Sequence, residues 1–180
     1  PRWGFGPDSP EPYVDVRYPV DDVADLVTML PRYAPGPGGT LASQGAIDEL
    51  TELLEEIGGG VLMVHSAAGP AGFLVALERP ELVEALIVVE PTGCPTDVES
   101  VPMVPFLAVY GDYIQARGQT GRLQSCQTTR ELAEAAGYPA DLFSYPEAGV
   151  FGNTHLLMQD DNSEEILADV LDWLDEAVQG

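Results

Sequence analysis

A serine follows a short apolar segment near the middle of the sequence. Residues 61–69 read VLMVHSAAG, so Ser66 comes after a run of apolar residues and before small ones. The run predicts a strand that is buried on both faces, and the small residues permit a tight turn into a helix. A serine at such a turn projects its hydroxyl away from the sheet, where it can act as a nucleophile. The simpler alternative is that Ser66 only caps the next helix.

A serine nucleophile needs a base and a group that stabilises the oxyanion. The backbone N–H of Ala67 would point into the same space as the Ser66 hydroxyl, near the amino end of a helix, and is the expected oxyanion donor. The sequence has two histidines. His65 would point away from its neighbour Ser66, so His155, in a loop before the last predicted helix, is the candidate base.

Two carboxylates are candidates for the acid that orients His155. Glu90 ends an apolar strand in the sequence VVEP, where a buried charge is costly unless a partner such as His155 offsets it. Asp112 follows the next strand in GDYI, and its alternative role is to cap a turn. We favour Glu90 and keep Asp112 as the alternative. Glu147, Asp160 and Asp161 are expected to be surface charges.

Apolar runs that alternate with helical periodicity predict an α/β fold, with a mostly parallel sheet and flanking helices. The predicted strands cover residues 61–64, 86–89, 106–110 and 141–145, and the predicted helices cover residues 21–30, 44–57, 71–77, 122–136 and 163–178. Ser163 is the predicted cap of the last helix. Loops at the carboxyl ends of parallel strands converge on one crevice, so Ser66 and His155 can meet there.

The order of turn serine, strand-end acid and late loop histidine resembles the α/β-hydrolase superfamily. The Glu-Pro pair at 90–91 and the sequence GNTHLLM at 152–158 are similar to those of a small group of bacterial esterases. This resemblance covers residues 46–180. It implies that Ser66, Glu90 and His155 form a catalytic triad that cleaves small carboxylic esters through an acyl-enzyme, with no metal or organic cofactor.

The sequence also departs from the hydrolase pattern. Val64 and Ala68 stand where the pattern Gly-x-Ser-x-Gly has glycine, although Gly69 is kept. Residues 1–60 show no convincing strand, whereas hydrolases of this superfamily have several strands before the turn serine. We therefore predict an irregular Pro/Gly-rich segment with a short helix over residues 1–40. Residues 41–180 are then the C-terminal part of an α/β-hydrolase domain.

The missing half of the sheet would come from an N-terminal segment, a second chain or another copy of this one. These departures favour a rival hypothesis, in which an incomplete hydrolase fold serves as a non-catalytic binding or assembly module. The presence of Ser66, Glu90 and His155 in the expected order favours the enzyme.

The composition restricts the choice of partners and environment. Asp+Glu number 30 and Lys+Arg 7, which gives a formal charge of −23, so nucleic acid and anionic membrane surfaces are disfavoured. No apolar run is long enough to cross a bilayer. The lack of lysine resembles proteins of salt-loving organisms, in a salty cytoplasm or exterior, and the alternative is an ordinary acidic bacterial protein. Cys94 and Cys126 can form one disulfide at most.

Overall fold

The computed structural model describes residues 3–6, 12–19 and 44–179. The helix predicted over residues 21–30 lies outside them. The described residues form two compact units that alternate along the chain. We call residues 44–110, 120–143 and 172–179 the sheet unit. We call residues 3–6, 12–19, 111–119 and 144–171 the loop unit.

The described residues contain a four-stranded parallel sheet with flanking helices, which confirms the predicted α/β class. The strands are β1 (Gly60–His65), β2 (Val83–Val89), β3 (Phe106–Tyr110) and β4 (Ala140–Ser144), and they lie side by side in this order. All four predicted strands are therefore present. β2 begins earlier than predicted because it starts directly after a short 3-10 turn, Pro80–Leu82.

Four α-helices accompany the strands among the described residues. They are α1 (Gln44–Ile57), α2 (Gly69–Glu78), α3 (Thr120–Ala135) and α4 (Ser163–Gln179). The predicted bounds of α1 are confirmed at both ends. The prediction that Ser163 caps the last helix is wrong by one residue. The backbone N–H groups of Glu165 and Ile166 donate to the carbonyl of Asn162, so Asn162 precedes α4 and Ser163 is its first residue.

The core of the sheet unit lies around the two inner strands. Every residue of β3 is buried, and so is every residue of β2 except Glu84. α2 contacts this sheet, with the ring of Phe73 5.8 Å from that of Phe106. These continuous apolar runs are the pattern expected of parallel strands that are covered on both faces. The same prediction for β1 is wrong, because Leu62 and Val64 are buried but Val61 and Met63, on the other face of the strand, are exposed.

Val64 occupies the position where the hydrolase pattern has glycine, and the fold accommodates it through a different glycine. A Cβ atom added to Gly72 in α2 would lie 2.8 Å from Cγ2 of Val64 and 3.3 Å from Cδ1 of Leu86. The valine side chain therefore fills the space that Gly72 leaves open. The departure at Val64 is compatible with close packing of β1 against α2.

This packing predicts opposite effects of alanine at two helical glycines. We expect Gly72→Ala to lower the free energy of unfolding by about 1–3 kcal/mol, because the branched Val64 side chain is short, buried and unable to move aside. Gly45→Ala in α1 is the matched control, because its new methyl group meets nothing within 4 Å. It should raise the free energy of unfolding by up to about 1 kcal/mol. Urea denaturation of both variants measures the two changes, and equal effects would contradict the packing described.

Candidate functional site

Ser66 lies at a sharp turn between β1 and α2. It begins the 3-10 turn Ser66–Ala68, which leads directly into α2. Its φ is +54°, a left-handed conformation that costs energy in residues other than glycine and that recurs at functional sites. The carbonyl of Ser66 accepts a hydrogen bond of 3.2 Å from the backbone N–H of Thr92, in the loop after β2.

Glu90 lies at the corresponding position of the neighbouring strand. His65 and Val89 are partners in the parallel register of β1 and β2, so Ser66 and Glu90 each directly follow one member of the pair. Neighbouring strands are about 5 Å apart, and the two residues therefore come from adjacent strand ends. Glu90 is 1 % exposed and has a φ of +39°. Its backbone N–H donates to the carbonyl of Val109 over 2.9 Å.

The loop after Glu90 is fixed by close packing and by a disulfide. A Cβ atom on Gly69 would lie 2.8 Å from Cβ of Pro91, which explains why a glycine is needed where α2 begins. Cys94 is bonded to Cys126 of α3, so the single disulfide that the sequence permits is present. The backbone N–H of Cys94 also donates to Oγ of Ser125 over 3.0 Å.

Ala67 is the middle residue of the 3-10 turn and is exposed. The first N–H groups of a helical segment have no acceptor within the segment. A backbone N–H at this place suits an oxygen that becomes negatively charged.

His155 lies in the loop unit and is 4 % exposed. Nη2 of Arg117 is 2.9 Å from its Nδ1. A guanidinium can only donate hydrogen bonds, so Nδ1 accepts and the ring proton of the neutral imidazole is on Nε2. The backbone N–H of His155 donates to the carbonyl of Trp3 over 2.9 Å, and the two rings are 5.3 Å apart.

Residues 12–19 support the loop that carries His155. The backbone N–H and Nε of Arg17 donate to the carbonyls of Gly152 and Phe151 over 2.9 and 2.8 Å. Nη1 of Arg17 forms an ion pair of 3.0 Å with Asp161. This role could not be predicted from the sequence, because the segment shows no periodicity and its partners are distant in the chain.

Asp112, the alternative acid, has both carboxylate oxygens engaged with the backbone. Oδ1 accepts from the N–H of Tyr113 over 2.6 Å, and Oδ2 accepts from the N–H of Gly152 over 3.1 Å. These contacts are those of a residue that stabilises turns. Tyr113, with a φ of +60°, donates its hydroxyl to Asp15 over 2.7 Å. Burial is the main cause that raises the pKa of Tyr113, and the hydrogen bond to Asp15 raises it further.

The described residues contain neither a cluster of metal ligands nor a membrane-spanning helix. Within residues 3–6, 12–19 and 44–179, no group of three or more His, Cys, Asp or Glu side chains could hold a metal ion. No helix in the same ranges is long and apolar enough to cross a membrane.

Comparison with known proteins identifies the type of fold. No protein-family model matches this sequence, and neither does any curated protein sequence. Among solved structures, the chain is similar to a bacterial esterase with a TM-score of 0.83 and 32 % identity. The match covers 98 % of this chain and 56 % of the esterase. The chain thus spans about half of the esterase's length, and its fold is α/β-hydrolase-like.

A second similar structure is NosK from Streptomyces actuosus. Its TM-score is 0.54, its identity is 14 %, and the match covers 81 % of each chain. At this identity the likeness concerns the fold alone.

The Arg117 contact predicts the resting tautomer of His155. In protein labelled with ¹⁵N-histidine, we expect Nδ1 of His155 to be unprotonated and Nε2 to carry the proton at a pH where the ring is neutral. Because the sequence has two histidines, a His65→Gln variant assigns the signals. Arg117→Met removes the donor to Nδ1 and should shift the tautomer equilibrium toward Nδ1–H. A proton on Nδ1 in the unmodified protein would contradict the contact.

Proposed function

We propose that this chain carries the nucleophile, base and acid of a serine hydrolase that cleaves carboxylic esters. The observation that carries the proposal is the left-handed backbone of Ser66, with a φ of +54°, at the turn from β1 into α2. Such a strained turn is what a nucleophile elbow requires, since an elbow exposes the serine oxygen above the end of the sheet. A serine that only capped a helix would not require it.

Each residue has a defined part in the proposed reaction. Oγ of Ser66 attacks the carbonyl carbon while His155 removes its proton, and the Ala67 N–H binds the oxyanion of the tetrahedral intermediate. His155 then donates the proton to the alcohol oxygen, and the alcohol leaves. Water, activated by His155, attacks the resulting acyl-enzyme, which releases the carboxylic acid and regenerates Ser66.

We propose Glu90 as the acid that accepts the Nδ1–H of His155. Its buried position at the strand end adjacent to that of Ser66 supports this choice. The backbone contacts of both Asp112 oxygens also favour Glu90 over Asp112.

The proposed base role imposes a rearrangement at Arg117. His155 can accept a proton from Ser66 only through an unprotonated Nε2, which places the ring proton on Nδ1. The guanidinium of Arg117, which donates to Nδ1 in the structure, must therefore withdraw before the reaction begins.

The similarity to a bacterial esterase supports ester hydrolysis as the reaction class. The chain spans about half of that protein, so we propose the activity and the substrate for this chain on the basis of its own residues as well. We further propose that a small carboxylic ester is the substrate, and that the highly acidic surface suits a high-salt environment.

We propose that β1 gains a further neighbouring strand when the hydrolase is complete. Among the described residues β1 pairs with β2 alone, and two of its apolar side chains, Val61 and Met63, are 38 % and 50 % exposed. An unpaired strand edge beside such side chains favours pairing with another strand. An N-terminal segment, a second chain or another copy could supply it, together with a second oxyanion donor.

A fluorophosphonate probe with mass mapping tests the proposed nucleophile. We expect one label, on Ser66, faster in molar KCl than in dilute buffer because salt screens the repulsion of a −23 chain. Ser66→Ala and Ser66→Gly should both abolish labelling and ester hydrolysis. Ser66→Gly should have the higher free energy of unfolding of the two, by about 1 kcal/mol, because glycine relieves the strain at a φ of +54°.

The same experiment separates the enzyme from its rival, the non-catalytic binding or assembly module. A specific observation that favours this module is the Arg117 donor on Nδ1 of His155, which opposes the base role. A folded protein that stays unlabelled in both buffers, and at elevated concentration, would reject the proposed nucleophile.

Light scattering after size exclusion tests the proposal that β1 lacks a neighbouring strand. We expect the 180-residue chain to self-associate, and Met63→Lys on the exposed face of β1 to reduce the association. Glu84→Lys, an exposed change on β2, is the control for the added positive charge. A compact monomer at all concentrations would contradict the proposal of a missing strand.

A further inference from the structure

We propose that Asp160 is a positioning residue that fixes the main chain on both sides of His155. The inference rests on the proposed base role of His155. From the sequence, Asp160 was expected to be a surface charge like Asp161 and Glu147. The structure confirms exposure of Asp161 and Glu147, whereas Asp160 is 3 % exposed.

The carboxylate of Asp160 accepts three hydrogen bonds from the residues before His155. Oδ2 accepts from the backbone N–H of Thr154 over 2.7 Å and from Nδ2 of Asn153 over 3.0 Å. Oδ1 accepts from Oγ1 of Thr154 over 2.8 Å. Asn153 and Thr154 are both fully buried, so these bonds form where water does not compete with them.

Three consecutive backbone N–H groups around His155 are thereby fixed. That of Thr154 donates to Asp160, that of His155 to the carbonyl of Trp3, and that of Leu156 to Oγ1 of Thr154 over 3.0 Å. Two of the three bonds depend on the contact between Thr154 and Asp160. Because the peptide units on both sides of His155 are held, the direction of its Cα–Cβ bond is held as well.

The network also connects this loop to the start of α4. Nδ2 of Asn153 donates to Oδ1 of Asn162 over 2.6 Å, and Nδ2 of Asn162 donates to Oδ1 of Asn153 over 3.3 Å. The carbonyl of Asn162 in turn accepts from the first turn of α4. The loop that carries His155 is thus connected by hydrogen bonds to the start of a helix.

A carboxylate is chemically suited to this place. The three groups of Asn153 and Thr154 that bond to it are donors, and an ionised carboxylate only accepts. Burial raises the pKa of Asp160, while the bonds from Asn153 and Thr154 oppose this rise. A neutral asparagine would direct an NH₂ group at one of these donors, and a leucine would leave them without an acceptor.

The experiment compares Asp160→Asn with Glu147→Gln, which removes the same charge from an exposed carboxylate in the same unit. We expect Asp160→Asn to lower kcat for a small ester about 10²-fold, because a small misplacement of a catalytic group has an effect of this size. KM should change less than threefold, and Glu147→Gln should keep both constants. Thr154→Val should reproduce the loss in kcat, and Thr154→Ser, which keeps the hydroxyl, should restore it.

Each outcome decides the inference. An unchanged kcat in folded Asp160→Asn would overturn the positioning role and leave the proposed hydrolase intact. A change in KM alone, or a lower thermal stability alone, would do the same. If Asp160→Asn fails to fold, Thr154→Val with its Thr154→Ser rescue decides by the same criterion. If the unmodified protein is inactive and unlabelled, the proposed function fails. The ¹⁵N signals of His155 then decide, since they must change in Asp160→Asn and not in Glu147→Gln.

Discussion

The parallel pairing of β1 with β2 sets the position of every group in the sheet unit that the proposed chemistry uses. Its register aligns His65 with Val89, and one residue further along each strand the backbone turns away into a left-handed conformation, at Ser66 and at Glu90. A slip of one residue would move each of these side chains to the opposite face of the sheet. Leu62 and Val64 of β1 and nearly all of β2 are buried, so the register is defined by the core rather than by the polar residues.

Strain and close packing occur together at these strand ends. Two residues other than glycine with positive φ each cost about 1–3 kcal/mol, and the surrounding structure must hold them in place. The loop after Glu90 is held by the disulfide to α3 and by the contact of Pro91 with Gly69. These contacts lie close to the strained residues in the chain, which is the arrangement that a preorganised site requires.

The sequence was sufficient to predict the elements whose signals are local. Continuous apolar runs identified β2 and β3, helical periodicity identified α1, and the small residues after β1 indicated the turn at Ser66. The roles of Asp160 and of residues 12–19 were not predictable in this way. Their partners are distant in the chain or belong to irregular loops, and an acidic residue in a sequence of this charge gives no sign of burial. Ser163 was misplaced because Ser163 and Asn162 are both good capping residues and only the structure distinguishes them.

The support of the His155 loop by residues near the amino end has a consequence for the order of folding. Arg17 and Phe151 are separated by 134 residues and Arg17 and Asp161 by 144, whereas the strands of the sheet pair in chain order. Contacts of long sequence separation form late, because loop closure must precede them. During synthesis at about 5–20 residues per second, Arg17 would wait about 7 to 27 s for Phe151. The sheet can therefore assemble first, and the surroundings of His155 are completed only when residues 151–161 have joined Arg17.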